Sequence, residues 1–290
     1  MGPKDFLKFY ARKYLRLAPM YYFLFFVGWA IFPHMGAGPI WYTARAMYTD
    51  CSEYWWAQLL MIGNIVPYFQ APNYGCFFWG WVVTTDLQLS LLVPFFVVIY
   101  KKKACVGHLV ALFVVLLDTL GIAYVTDKYK LRAGPLAEEN WYLFAYLFQK
   151  PFFKFPAMFV GITSAFFYCQ ILEYRRCESD AERSEKFRIL DKLHRSNWMQ
   201  AIIFILGLGL VWNALLIGHS AIKAPYSWSM AKNICYNCLT RISFAAGNFL
   251  QLFVFFLSGF TSGKAFLSRP LFLVMGKLCF ITGLITPIMV

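Results

Sequence analysis

The stretch WGWVVTTDLQLSLLVPFFVVIYKKKACVGHLVALFVVLLDTLGIAYV, from Trp79 to Val125, decides the architecture. Two apolar runs, Trp79 to Tyr100 and Ala104 to Val125, flank Lys101, Lys102 and Lys103. A helix needs about 20 apolar residues to cross the hydrocarbon core of a bilayer, and each run supplies that length. The pattern predicts two membrane helices joined by a short basic turn.

The same reading extends outward in both directions. Toward the N-terminus, Leu17 to Phe32 forms a first span after Lys8, Arg12, Lys13 and Arg16, and an aromatic loop with His34, Gly36, Gly38 and Pro39 follows. Trp55 to Phe69 is a shorter apolar segment ending near Pro67, expected to lie at the interface or to re-enter. Toward the C-terminus, a polar loop reaches Lys154, and Phe155–Tyr174, Trp198–Ile217, Ile242–Phe260 and Leu271–Val290 complete the set. The expected fold is an all-α polytopic transmembrane helix bundle of about seven spans, one domain over residues 1–290. Residues 174–197 form a charged extramembrane connection, in which Glu182 and Lys186 have the i, i+4 spacing of a solvated helix.

Composition agrees. The chain is 60% apolar and 14% charged, with a mean hydropathy of +0.55. Soluble domains run near about 45–50% apolar and about 25% charged. The net charge of +13 does not indicate a nucleic-acid partner, because the basic residues fall in short clusters between apolar runs. Alternating the loops places the N-terminal cluster, Lys101 to Lys103, the Arg175–Arg195 region, Lys264 and Arg269 on one side. Arg45, Lys128, Lys130, Arg132, Lys150, Lys154, Lys223 and Lys232 fall on the other. The first group is richer, so the N-terminus is expected to face the cytosol or a mitochondrial matrix. Endomembrane, plasma membrane and mitochondrial inner membrane all fit. The start carries no apolar stretch before Lys8 and is not read as a cleavable signal, and the chain reads as interrupted at both ends.

Arg12-Lys13-Tyr14-Leu15-Arg16-Leu17-Ala18-Pro19 is a basic helix meeting the membrane. Arg12 and Arg16 lie one turn apart and share a face, which suits either a grip on phosphates or a snorkelling anchor. Two longer stretches add to it: Cys51-x-x-x-Trp55-Trp56-x-x-Leu59-Leu60-x-Ile62-x-Asn64, and Cys76-x-x-Trp79-x-Trp81 continuing to Asp86-x-Gln88 and Pro94. In this order they resemble the acyltransferase-3 family, especially its nose-resistant-to-fluoxetine branch. Lys150-Pro151-Phe152-Phe153-Lys154 through Gly161, and Gly276-Lys277-Leu278-Cys279-Phe280 through Pro287, resemble later helices of that family.

The resemblance implies transfer of an acyl group from acyl-coenzyme A to a hydroxyl acceptor. It implies that Arg12, Lys13 and Arg16 face the coenzyme's phosphates, with Lys13 a departure from the family's Arg that replaces a planar fork by a point charge. It makes Trp79, Trp81, Asp86 and Gln88 the substrate-facing candidates, and Asp86 the candidate for chemistry. The family's catalytic His lies on a helix upstream of the basic motif, where this chain begins. Its closing Tyr-Leu-Ile-His-Pro reads Gly283-Leu284-Ile285-Thr286-Pro287 here. His34, His108, His194 and His219 match no motif and are expected to be loop or interfacial residues.

Carboxylates inside apolar spans are costly and carry a functional suspicion by default. Asp86 is either substrate-facing or gating, or it fixes packing through Thr84, Thr85 or a Trp indole. Asp118, without motif support, is expected to serve packing or to be protonated. In the predicted topology Cys51, Cys76, Cys235 and Cys238 share the outer side, opposite Cys105 and Cys177. An oxidising compartment allows pairing there, and Cys51 with Cys76 is the favoured disulfide. Cys235-x-x-Cys238 fits a zinc or redox pair or two free thiols, and no metal site is expected.

The expected function is a catalytically incomplete, acyltransferase-3-like membrane protein, structural or lipid-holding within a larger assembly of membrane subunits. One alternative is an active acyltransferase using acyl-CoA, its catalytic His supplied by another segment. Another is a lipid or small-molecule transporter, whose signature would be a polar path through Asp86 and Gln88.

Overall fold

The computed structural model describes residues 3–38, 41, 45, 48, 50–67, 76–133, 141–177, 185–224, 226–257, 265–276, 278 and 279. The elements are helical throughout: α1 (Pro3–Ala30), α2 (Cys51–Leu59), α3 (Trp81–Lys102), α4 (Ala104–Lys128), α5 (Phe155–Arg176), α6 (Arg188–Arg195), α7 (Asn197–Lys223) and α8 (Met230–Phe256). Residues 270–276 are also helical. Among the described residues, six helical segments are long and apolar enough to cross a membrane, those built on α1, α3, α4, α5, α7 and α8. The chain is a polytopic membrane helix bundle. The seventh expected span, Leu271–Val290, lies mostly outside the described residues, as do Glu182, Gly283 and Thr286.

The observed helices begin earlier than the apolar runs suggest. α8 starts at Met230 rather than near Ile242, because Ser229 caps it by accepting the Lys232 N–H (3.4 Å). Ser196 caps α7 in the same way through Met199 (3.4 Å). The apolar segment expected at Trp55–Phe69 forms only the short α2, followed by turns. That short helix does not cross.

Solvation explains the surface. Ile202, Ile205, Leu206, Leu215 and Leu216 of α7 are all exposed. In water such a face would demand a partner, whereas lipid tails solvate it. Inside the bundle, α8 packs against α7, α5 and α4, while α3 packs against α1 and α4.

Two ends of the bundle have their own packing. Around α1, Leu17, Tyr21, Leu24 and Phe25 close on Tyr48, Cys51, Cys76, Phe77 and Trp79. Cys51 and Cys76 are joined by a disulfide (S–S 2.07 Å). At the other end, α6 occupies the expected charged connection and docks by Leu190 against Ile171, Tyr174 and Phe253. Arg195 pairs with Asp191 (2.9 Å) and holds its carboxyl below the usual carboxylate range, while Tyr174 donates to the same group (3.0 Å). His194 Nδ1 bonds the Leu257 carbonyl (2.9 Å), and His108 meets the Tyr100 hydroxyl (3.4 Å).

Candidate functional site

The alignment of α1 with α3 builds the site. The two helices run antiparallel: Phe6 packs on Phe95 (6.0 Å), Tyr10 Oη donates to the Leu91 carbonyl (2.8 Å), and Lys13 Nζ meets Asp86 Oδ2 (2.6 Å). The basic cluster therefore lies alongside the membrane-spanning part of α3. The first helix thus starts at Pro3 and includes the basic cluster, rather than following it from Leu17. The Asp86 carboxylate on α3 gives the Lys13 ammonium a partner there.

Lys13, Arg16 and Asp86 line a cavity of about 790 Å³ with Leu17, Met20 and Val82, and Phe272 and Gly276 border it from the 270–276 helix. Its wall thus combines charged and apolar side chains. Asp86 keeps 52% of its side-chain surface exposed and Lys13 keeps 28%, so both remain reachable. The packing partners foreseen for Asp86 (Thr84, Thr85 or an indole) are replaced by Lys13. Arg12 is exposed, and only its neighbours Lys13 and Arg16 line the cavity.

The other substrate-facing candidates go elsewhere. Gln88, two positions from Asp86, points to a different side of the helix, since residues that far apart do not share a face. It forms a reciprocal amide pair with Asn64: Gln88 Nε2 donates to Asn64 Oδ1 (2.8 Å), and Asn64 Nδ2 donates to Gln88 Oε1 (3.0 Å). Gln88 Nε2 also donates to the Met61 carbonyl (2.8 Å), and Asn64 Nδ2 to Thr85 (3.0 Å) and the Gln149 carbonyl (3.2 Å). The buried Lys150 donates to the Asn64 carbonyl (3.0 Å), and burial pushes its ammonium down to about 8. Asp86 and Gln88 thus meet different partners, Lys13 and Asn64. This network staples the post-α2 turn to α3 and to the chain before α5.

Trp79 is buried against Phe77 (5.5 Å) and Tyr48 (5.7 Å). Phe77 itself takes a left-handed backbone (φ 53°), held there by its buried ring beneath Tyr21 and Phe25. Trp81 faces Phe144 and carries Lys154 Nζ over its ring (4.9 Å). Of the sequence candidates, Lys13, Arg16 and Asp86 converge on the cavity, while Trp79, Trp81 and Gln88 make their contacts elsewhere. Cys235 and Cys238 are free thiols, one exposed and one buried.

A charged cluster joins Asp118 to Arg241, a residue without a role in the sequence reading. Asp118 of α4 is buried, and the cations Lys154 and Arg241 act on it electrostatically. Arg241 directly precedes the expected span Ile242–Phe260, whereas α8 carries it well inside the helix. The missed signal is the spacing of Arg241, Ala245, Asn248 and Leu252, which puts them on one face of a helix that starts at Met230.

The fold and cavity together define the class: a polytopic α-helical membrane protein with a cationic, half-apolar cavity between its first helices. In sequence, the chain is similar to nose resistant to fluoxetine protein 6 of Caenorhabditis elegans, 23% identical over 167 residues, or 54% of this chain and 20% of that protein. The chain therefore matches only about a fifth of that relative's length. No protein-family model matches it. No solved structure matches it. The comparisons support a distant, partial likeness to that protein and do not establish membership of the acyltransferase-3 family.

Proposed function

We propose that the protein is a membrane-embedded holder of an acyl-bearing phosphate ligand, with acyl-CoA as the ligand class. It has an acyltransferase-3-like character, is catalytically incomplete by itself, and serves within a larger membrane assembly. The observation that carries this reading is the Lys13–Asp86 pair beside Arg16 on the wall of the cavity. Arg16 and Lys13 supply charge-assisted donors for phosphate oxygens. Leu17, Met20, Val82 and Phe272 supply apolar wall for an acyl chain. Asp86 orients Lys13 and offsets part of its charge. Among the described residues, none of those lining the cavity is a histidine, and Asp86 is its single carboxylate. An acceptor hydroxyl needs a positioned base, and a carboxylate bound to Lys13 is already engaged.

A second reading, an active acyltransferase, draws support from the same carboxylate, because Asp86 is half exposed in the cavity. Purified protein in nanodiscs, titrated with labelled palmitoyl-CoA, separates the two. Binding weakened about tenfold or more by Lys13→Gln or Arg16→Gln, the loss of one charge-assisted hydrogen bond, supports the holder. Binding indifferent to both substitutions rejects it. Acyl-CoA hydrolysis or transfer by the isolated chain, abolished by Asp86→Asn, replaces it with the second reading.

A further inference from the structure

A second cationic site lies away from the cavity just described, in the groove between α5 and α8. Lys154 and Arg241 line a space of about 430 Å³ that continues along Ala157, Val160, Ala245, Phe249 and Leu252. This volume falls in the range of about 300–1,000 Å³ typical of small-molecule sites. Arg241 is fixed at one end by donating to the Phe153 carbonyl (2.7 Å), with its guanidinium 5.1 Å from the Phe148 ring. Lys154 Nζ lies between the Trp81 and Phe148 rings, at 4.9 and 5.0 Å. Two cations are thus held by geometry rather than left to wave.

The local charge does not balance. Asp118 is the carboxylate that acts on both cations, and its two oxygens are buried with no hydrogen-bond partner. Counted formally, two basic side chains facing one carboxyl leave a surplus of one positive charge among the apolar helices α4, α5 and α8. Among the described residues, neither Lys154 nor Arg241 lies within ion-pair distance of a carboxylate. A surplus charge in an apolar medium calls for a counter-ion. The groove joins that charge to a strip of apolar wall open to the surrounding lipid. Its occupant must therefore be anionic at one end and aliphatic along its length.

We propose that the α5–α8 groove binds one anionic phospholipid of the surrounding membrane, its phosphate on Lys154 and Arg241 and one acyl chain along Val160, Ala245, Phe249 and Leu252. The guanidinium offers a planar fork to phosphate oxygens, and Lys154 adds a point charge. Asp118 limits the affinity by repelling the headgroup. The site does not depend on the Lys13–Arg16 cavity.

The test is native mass spectrometry of the full chain released from nanodiscs of phosphatidylcholine mixed with phosphatidylglycerol. The wild type should retain one phosphatidylglycerol with at least about tenfold preference over phosphatidylcholine, the scale of one charge-assisted hydrogen bond. Arg241→Gln with Lys154→Gln should abolish that preference, and Asp118→Asn should raise it. Ala245→Phe, which fills the groove and keeps both cations, should also remove the bound lipid. Lys13→Gln should leave retention unchanged, so a failed acyl-CoA cavity does not affect this result. Equal retention of both lipids by the wild type overturns the proposal. So does persistence of the preference in Ala245→Phe, or displacement of the lipid by inorganic phosphate.

Discussion

Lys13 Nζ stands 2.6 Å from Asp86 Oδ2, and this contact fixes where the first helix lies against the third. It pairs a charge from the basic N-terminal motif with the carboxylate of an apolar helix. Because the pair borders an open cavity, its worth to stability is limited to about 1 kcal/mol or less. Asp86→Lys should lower the apparent melting temperature in detergent, since it sets like charges side by side. Adding Lys13→Asp should restore most of the loss. A double variant no better than the single one would mean that the pair does not register the helices.

The disulfide closes a loop with a sequence separation of 25 around α2. Closing a loop of that size restricts the unfolded chain by about 3.5 kcal/mol in the entropic account. Cys51→Ser should expose the wall of Tyr21, Phe77 and Trp79 to local opening, lowering thermal stability and making Cys76 reactive. Alkylation under non-reducing conditions should leave both cysteines of the wild type unlabelled. Labelling of both would contradict the bond.

α7 and α8 touch through glycine. A Cβ on Gly207 would fall 2.8 Å from the Gly247 carbonyl oxygen, and one on Gly247 would fall 2.7 Å from the Gly207 carbonyl oxygen. Small residues let membrane helices approach this closely, where packing rather than water drives association. Gly247→Leu should cost about 1–3 kcal/mol through overpacking, read as a drop in melting temperature. Gly209→Ala, whose Cβ meets nothing within 4 Å, should leave stability unchanged or slightly raised.

Lys150 supplies a pH dependence. Its ammonium is pushed down to about 8 by burial, below the ordinary lysine value of 10.5. Between those values the unfolded chain binds more protons at this site than the folded one, so stability rises with pH through that window. Below pH 8 both states carry the proton and the burial penalty is full. The melting temperature of the wild type minus that of Lys150→Met should therefore climb between about pH 8 and 10. A flat difference would show that the amine is solvated.

The cationic motif was legible as residue types in order, since Arg12, Lys13, Arg16 and Asp86 stand out in an apolar chain. Their convergence was not, because proximity along the chain, as between Asp86 and Gln88, does not tell which neighbour each side chain meets. On a helix those positions diverge, and the structure assigns one to Lys13 and the other to Asn64. Arg241 was overlooked for a related reason. Hydropathy marks where a run is greasy, while capping by Ser229 decides where the helix begins.

The chain alone determined that its solvent is lipid and its backbone helical. Apolar runs of crossing length leave no water to satisfy peptide groups, and a helix satisfies them within each segment. Tertiary packing decided the rest: which of the charges meet, which amides lock together, and that α1 runs beside α3 from its first turns. Those outcomes depend on the relative depth and rotation of separate helices. Depth and rotation are set by side-chain contacts between segments distant in sequence, so no local pattern encodes them.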